Sequence, residues 1–146
     1  MRIKKTALIL ITILSMVSIP FMGVASNAKS DKNIFERVTG TWAWTKPGKD
    51  CKSQPSDYIF GSNNKTMQII GAKPTKMHDR TTRDYVNYKV ISSDNTSITM
   101  SMENETRKYK SGKPIVWKLV LVSKDKFFWE VVDRPGRQFG PLVRCK

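Results

Sequence analysis

Residues 114–133 read PIVWKLVLVSKDKFFWEVVD, two apolar runs joined by the polar turn Ser123-Lys124-Asp125. Residues i and i+2 lie on the same face of a strand, and a short turn joins antiparallel strands. The stretch therefore predicts a β-hairpin. Both faces are apolar, interrupted only by Lys118 and Glu130. One face belongs to the interior, so the other has to be covered by the N-terminal lead, the loop at 134–141, a partner or a ligand.

The rest of the chain shows the same β-rich pattern. In residues 97–102, Ile98, Met100 and Met102 alternate with Ser and Thr, which predicts a strand with one solvated face. No long stretch after Ile19 has helical periodicity. Strands are predicted at 39–45, 58–61, 66–70, 84–92, 96–102, 106–109, 114–122, 127–133 and 142–145.

These runs predict an all-β fold, a small antiparallel meander β-barrel of about eight strands. Turn-forming residues separate consecutive runs, so each strand is expected to pair with the next. A closed barrel is favoured because closure removes the unpaired edges that invite aggregation. A β-sandwich is the alternative.

Residues 1–28 have the layout of a secretory signal peptide. The positively charged start MRIKK precedes an uncharged, mostly apolar run at 6–19 and small residues at 23–28. The run is shorter than the roughly 20 residues that a membrane-spanning helix needs, although an uncleaved anchor is the alternative. We therefore expect an exported protein, periplasmic or secreted. A flexible lead at 29–37, or one helical turn, would precede a single β-barrel domain at 38–146.

Two cysteines, Cys51 and Cys145, lie in the predicted mature chain. Export places them in an oxidising compartment, where a structural disulfide is expected. Such a bridge would close a long loop, worth roughly 4 to 5 kcal/mol by chain-entropy arguments. Two free thiols or an intermolecular bridge are the alternatives.

The chain is strongly basic, with a formal net charge of +14. Four cations, Lys73, Lys76, Arg80 and Arg83, fall within one predicted loop. Such a cluster favours an anionic partner: an anionic membrane surface, an acidic glycan or an acidic protein. Nucleic acid is also attracted to basic proteins, but an exported protein is not expected to meet it as a physiological partner. The alternative is that the charge serves solubility alone.

The start of the first predicted strand, Gly40-Thr41-Trp42, resembles the Gly-x-Trp start of lipocalins and their calycin relatives. In that superfamily the Trp packs at the closed end of the barrel and a late Arg lies across it. The resemblance implies that Gly40, Trp42 and Arg144 have this structural, barrel-closing role. It also implies a lipocalin-like barrel that binds a small ligand. An Arg over an indole face is a cation–π contact worth roughly 0.5 to 2 kcal/mol.

Catalytic and metal-binding patterns are not evident in the sequence. His78 is the only histidine, so a Ser-His-Asp triad or a zinc site would rest on that residue alone. Glu103 with Glu105, or Glu130 with Asp133, would serve acid–base chemistry only if burial raised one pKa. We expect no catalytic residues, no metal, no cofactor and no enzyme activity.

The hairpin at 114–133 is the best candidate for lining a ligand cavity, because it is the most apolar part of the mature chain. Its polar groups would determine which ligand binds. Lys118 would bind a carboxylate or phosphate, and Glu130 would bind a cation. The competing account is a barrel filled by its own side chains. The candidate ligand-lining residues are Trp117, Lys118, Leu119, Phe128, Trp129 and Glu130.

The leading functional hypothesis is an exported non-enzymatic binding protein. Its lipocalin-like barrel would take a small apolar or amphipathic ligand in the lumen, or its basic loops would hold an anionic surface. A protein-directed inhibitor or interaction module acting through its loops is the alternative. The sequence leaves the ligand and the oligomeric state open.

Overall fold

A computed structural model describes residues 32–146, in which one short helix precedes eight strands. The predicted signal peptide, residues 1–28, lies outside the described residues. The helix and strands are α1 (Ile34–Val38), β1 (Gly40–Trp44), β2 (Ser56–Phe60), β3 (Thr66–Lys76), β4 (Thr82–Ser93), β5 (Ser97–Met102), β6 (Val116–Ser123), β7 (Lys126–Val131) and β8 (Gln138–Arg144).

Each strand pairs antiparallel with the next, and β8 pairs back onto β1. The order around the barrel is therefore the order along the chain. In β1, Trp42 is opposite Ser56 on one side and Arg144 on the other, which closes the barrel. The predicted all-β meander barrel is confirmed, and the closure by β1 and β8 excludes the sandwich.

The predicted strands differ from the structure most at 106–109, in β3 and in β8, which begins at Gln138 and so includes part of the predicted loop at 134–141. The run at 106–109 is not a strand, because only Lys108 forms an isolated bridge, with Pro114. Strand β3 continues beyond the predicted end at Ile70, although Gly-Ala-Lys-Pro at 71–74 has the composition of a turn. Pairing with β4 resumes at Thr75 after a register shift, so the long hairpin overrides the local signal.

Helix α1 closes one end of the barrel. Asn33 caps it by accepting a hydrogen bond from the Glu36 backbone N–H at 3.0 Å. Its apolar residues Ile34 and Val38 are buried in the core, so the ordered domain begins several residues before 38. The indole N–H of Trp42 donates to the Val38 carbonyl at 2.7 Å, which fixes the helix to the barrel.

The core fills the barrel from this closed end. Trp42 and Phe127 pack edge to face with ring centroids 4.7 Å apart, and Tyr58 meets Phe127 at 5.4 Å. Edge-to-face packing is the favoured geometry of aromatic pairs. Leu119 and Leu142 complete the packing around these rings. The closed half of the barrel is therefore filled by its own side chains.

Arg144 lies across the indole of Trp42, with its guanidinium carbon 4.2 Å from the ring centroid. Its Nη1 donates to the Thr39 carbonyl at 3.0 Å and its Nη2 to the Arg37 carbonyl. Gly40 has a φ of +130°, and a Cβ at this position would lie 2.6 Å from Arg144 Nη1. Glycine is required there both for conformation and for space.

Cys51 and Cys145 form a disulfide with a Cα–Cα distance of 5.5 Å. The bond joins the loop after β1 to the chain after β8, across a sequence separation of 94. Disulfides are typical of proteins in oxidising compartments. The pairing predicted from the sequence is present.

Candidate functional site

The β6–β7 hairpin directs its residues alternately into and out of the barrel. Leu119 is opposite Trp129 and both are buried in the core, whereas Lys118 and Glu130 are opposite each other on the outer face. Glu130 accepts a hydrogen bond from the Gln138 side chain at 2.7 Å. Phe128, between Phe127 and Trp129, also lies on the outer face.

The structure therefore separates the six predicted lining residues into two groups. Trp117, Leu119 and Trp129 are directed to the interior, while the remaining three lie on the outer wall. Side-chain alternation explains the separation, since neighbouring residues of one strand face opposite ways. On the outer apolar face Val122 and Val132 are exposed, at 59% and 45%, whereas Val120 and Phe128 are half-buried.

A cavity of about 380 Å³ opens at the end of the barrel opposite helix α1. Its position follows from the strands that border it: α1 precedes the first residue of β1, whereas Trp44 ends β1 and lines the cavity. The volume lies at the lower end of the roughly 300–1,000 Å³ typical of ligand pockets. Six aromatic side chains line it: Trp44, Tyr58, Tyr88, Trp117, Trp129 and Phe139.

Trp129 lies at the centre of these aromatic contacts. It stacks on Tyr88 with centroids 5.5 Å apart and meets Trp117 edge to face at 6.2 Å. Trp117 in turn packs against Phe139 at 6.1 Å. Burial raises the pKa of both Tyr58 and Tyr88, so their phenols are neutral at physiological pH. The cavity wall is therefore apolar and uncharged over most of its area.

One ion pair stands beside this aromatic wall. Arg107 donates from Nε and Nη2 to the two carboxylate oxygens of Glu105, at 2.8 and 2.7 Å. The indole N–H of Trp117 donates to Glu105 Oε2 at 3.1 Å. The Arg107 guanidinium carbon lies 5.0 Å from the Trp117 ring centroid, in the range of a cation–π contact.

Glu105 is held in its charged form by these partners. Its side chain is only 3% exposed, and burial alone would raise the pKa of its carboxyl group. The hydrogen bonds from the Arg107 side chain and backbone and from Trp117 outweigh that effect and lower the pKa. Arg107 keeps 28% of its side chain exposed and lines the cavity.

Sequence reasoning missed this pair. Arg107 lies in the run wrongly predicted as a strand at 106–109, and the sequence pattern offers Glu105 only as one half of a carboxylate pair with Glu103. The sequence does carry a weak signal, since opposite charges two residues apart in Glu105-Thr106-Arg107 favour a local ion pair. Their position beside Trp117 depends on pairing between strands, so it cannot be predicted from the neighbouring sequence.

The four predicted anion-contacting cations lie on the β3–β4 hairpin. Lys73, Lys76 and Arg80 are exposed, whereas Arg83 is half-buried and paired with Asp79 at 3.0 Å. Hydrogen bonds from Thr81, and the nearby Arg83, lower the pKa of Asp79. Lys76 lines the rim of the cavity together with Met77 and His78. The hairpin thus brings one of these four cations to the aromatic cavity.

A larger groove of about 690 Å³ crosses the outer wall over β2 to β5. Its polar side chains bond one another, because Gln68 donates to Asn87 at 3.0 Å and Asn87 to Glu103 at 2.8 Å. The barrel mouth instead combines an aromatic wall with a partly exposed guanidinium. That combination makes the mouth the better candidate site.

Within residues 32–146, no three His, Cys, Asp or Glu side chains cluster closely enough to hold a metal ion. No helix of this part of the chain is long and apolar enough to cross a membrane. Comparisons with known protein families, with curated proteins and with solved structures found no match for this chain.

Proposed function

We propose that this protein is an exported, non-enzymatic binding protein with a lipocalin-like barrel that takes a small apolar or amphipathic ligand in its open end. The observation that carries the proposal is the cavity of about 380 Å³ lined by six aromatic side chains. Ligand pockets are concave and mostly apolar, with a few polar groups that fix orientation. Arg107 and Lys76 line this mouth, and Lys46 and Arg137 lie over the rings of the lining residues Trp44 and Phe139.

The closed end supports the lipocalin-like reading of the fold. Gly40, Trp42 and Arg144 meet there in the arrangement that the resemblance implies, and helix α1 seals the same end. A barrel sealed at one end and open at the other offers a single entrance. The disulfide fits an exported protein, because such bonds persist in oxidising compartments.

Tryptophan fluorescence tests the proposal. Variants that keep only Trp117 or only Trp129, with the other tryptophans changed to Phe, are titrated with fatty acids, lysophospholipids and haem-like probes. A saturable change at either residue is expected. The matched control keeps only Trp42, which is fully buried at the closed end and is expected to respond little. If the fluorescence of neither Trp117 nor Trp129 changed with any of these probes, the proposal would be overturned.

A second candidate function is adhesion to an anionic membrane surface, favoured by the exposed cations of the β3–β4 hairpin. Lys73, Lys76 and Arg80 have no acidic side chain within 4.0 Å among the described residues. Attraction between exposed charges is screened over about 8 Å at physiological ionic strength. Binding to vesicles that contain acidic lipid should therefore weaken steeply with salt, and equal binding to neutral vesicles would contradict this function.

A further inference from the structure

The guanidinium of Arg107 is only partly used by the protein. Its Nε and Nη2 donate to Glu105, while its Nη1 has no hydrogen-bond partner among residues 32–146. The side chain is 28% exposed and borders the aromatic cavity. A partly exposed Arg therefore has donor capacity left at the entrance of an otherwise apolar site.

The position of this guanidinium is fixed from two sides. Both carboxylate oxygens of Glu105 hold one edge of it, and its carbon lies over the Trp117 ring, 5.0 Å from the ring centroid. Glu105 is itself held by the Trp117 indole N–H and by the Arg107 backbone N–H at 3.0 Å. An Arg fixed in this way loses little side-chain entropy when it binds a further group.

The charge at the mouth favours an anion over a cation. Glu105 neutralises Arg107, but its oxygens already accept bonds from both Arg107 and Trp117, and the carboxylate is nearly buried. Lys76 adds an uncompensated positive charge to the same rim. Planar guanidinium groups match the geometry of carboxylates.

We propose that Arg107, positioned by Glu105, is the recognition residue for a carboxylate, and that the ligand of this cavity is a compact apolar carboxylic acid. The inference rests on the proposed function, because it names the ligand class of the same cavity. The cavity is too small for a bulky ligand, and its aromatic wall contacts the hydrocarbon part of the acid. Lys76 attracts the anionic ligand to the rim of the cavity, and Arg107 selects ligands that carry a carboxylate.

The test compares decanoate with 1-decanol, which have the same number of carbon atoms and differ in the charge of the head group. Calorimetric titration of the disulfide-bonded protein should show decanoate binding about 10 to 100 times more tightly, as expected for charge-assisted hydrogen bonds. In Arg107→Met the affinity for decanoate should fall to that for decanol. The affinity for decanol itself should change by less than about twofold, because a hydrocarbon makes no use of the charge.

Two further variants keep the test decisive. Glu105→Gln with Arg107→Met removes both charges and leaves an amide oxygen for the Trp117 N–H, in case Arg107→Met alone fails to fold. Lys124→Met removes one exposed cation near Arg144 at the closed end and should leave the acid-to-alcohol ratio unchanged. Equal weakening of both probes in the Arg107 variants would overturn the inference but leave the proposed function standing. Failure of the unmodified protein to bind either probe would overturn both.

Discussion

The barrel has an arginine over a tryptophan at each end, and the two pairs differ in what else the arginine contacts. At the closed end Arg144 covers Trp42, donates to backbone carbonyls of Arg37, Thr39 and Lys124, and has its Nε 3.7 Å from the carboxylate of Asp125. At the open end Arg107 covers Trp117 and bonds only a carboxylate. The exposures of the two side chains are similar, 25% and 28%. Exposure therefore does not distinguish a structural arginine from a binding one, whereas the partners do.

The same contrast holds for the tryptophans. Trp42 is fully buried, packs against Phe127 and donates its N–H to the Val38 carbonyl. Trp117 is half-buried, borders the cavity and donates to Glu105. At the closed end the aromatic ring is therefore packed in the core. At the open end part of the aromatic surface faces the cavity. The first two of the following predictions compare changes at the two ends, and the third concerns the ion pair at the open end.

Replacing the tryptophans of the two ends is expected to give the largest difference in stability. Trp42→Ala should lower the free energy of unfolding by about 3–5 kcal/mol, since it empties a packed core site. Trp117→Ala should cost only about 1–2 kcal/mol, because its ring is half-buried, but it should weaken ligand binding. Denaturant titration and probe binding measure the two effects. Equal losses of stability would show that the ends are not specialised.

The two arginines give a smaller and sharper contrast. Arg144→Met should lower the free energy of unfolding by about 1.5–3 kcal/mol, because three carbonyls lose a charged donor. The paired change Glu105→Gln with Arg107→Met should alter it by less than about 1 kcal/mol, since removing both members of an ion pair leaves no uncompensated charge. A larger loss for the open-end pair than for Arg144 would mean that Arg107 is chiefly structural.

The smallest expected effect concerns the pH dependence of stability. The pKa of Glu105 is lowered in the folded protein. Its contribution to stability is therefore complete above its usual value of 4.5 and is lost as the pH falls through the lowered value. The difference in unfolding free energy between the unmodified protein and Glu105→Gln, expected below about 1 kcal/mol, should shrink on acidification. Glu103→Gln, which removes an exposed carboxylate, is the control. A difference that is constant or grows at low pH would contradict the assignment.

The sequence predicts the closed end better than the open end, for physical reasons. Alternation in residues 97–102, and two apolar runs joined by a polar turn in residues 114–133, are enough to predict strands and their pairing with sequence neighbours. The placement of Trp42 and Arg144 at one end came from the Gly40-Thr41-Trp42 resemblance. The disulfide is predictable because the chain has only two cysteines and its N-terminal sequence predicts export.

The open end depends on contacts between residues far apart in the chain. Trp117 and Trp129 line the cavity, but Lys118 and Glu130 do not, because neighbouring residues of a strand cannot face the same side. The polar group at the mouth is instead Arg107, which a loop brings beside Trp117. The predicted cover over the outer apolar face is incomplete among the described residues, since Val120 and Phe128 are half-buried but Val122 and Val132 remain exposed.

The most direct test of this division is a nuclear magnetic resonance titration that follows the four indole N–H signals with decanoate. The protein has four tryptophans, of which Trp44, Trp117 and Trp129 line the cavity and Trp42 lies at the closed end. We expect saturable shifts of the signals of Trp117 and Trp129, accompanied by Trp44, while the Trp42 signal stays in place. Shifts centred on Trp42, or no saturable shift of any indole signal, would contradict a binding site at the open end of the barrel.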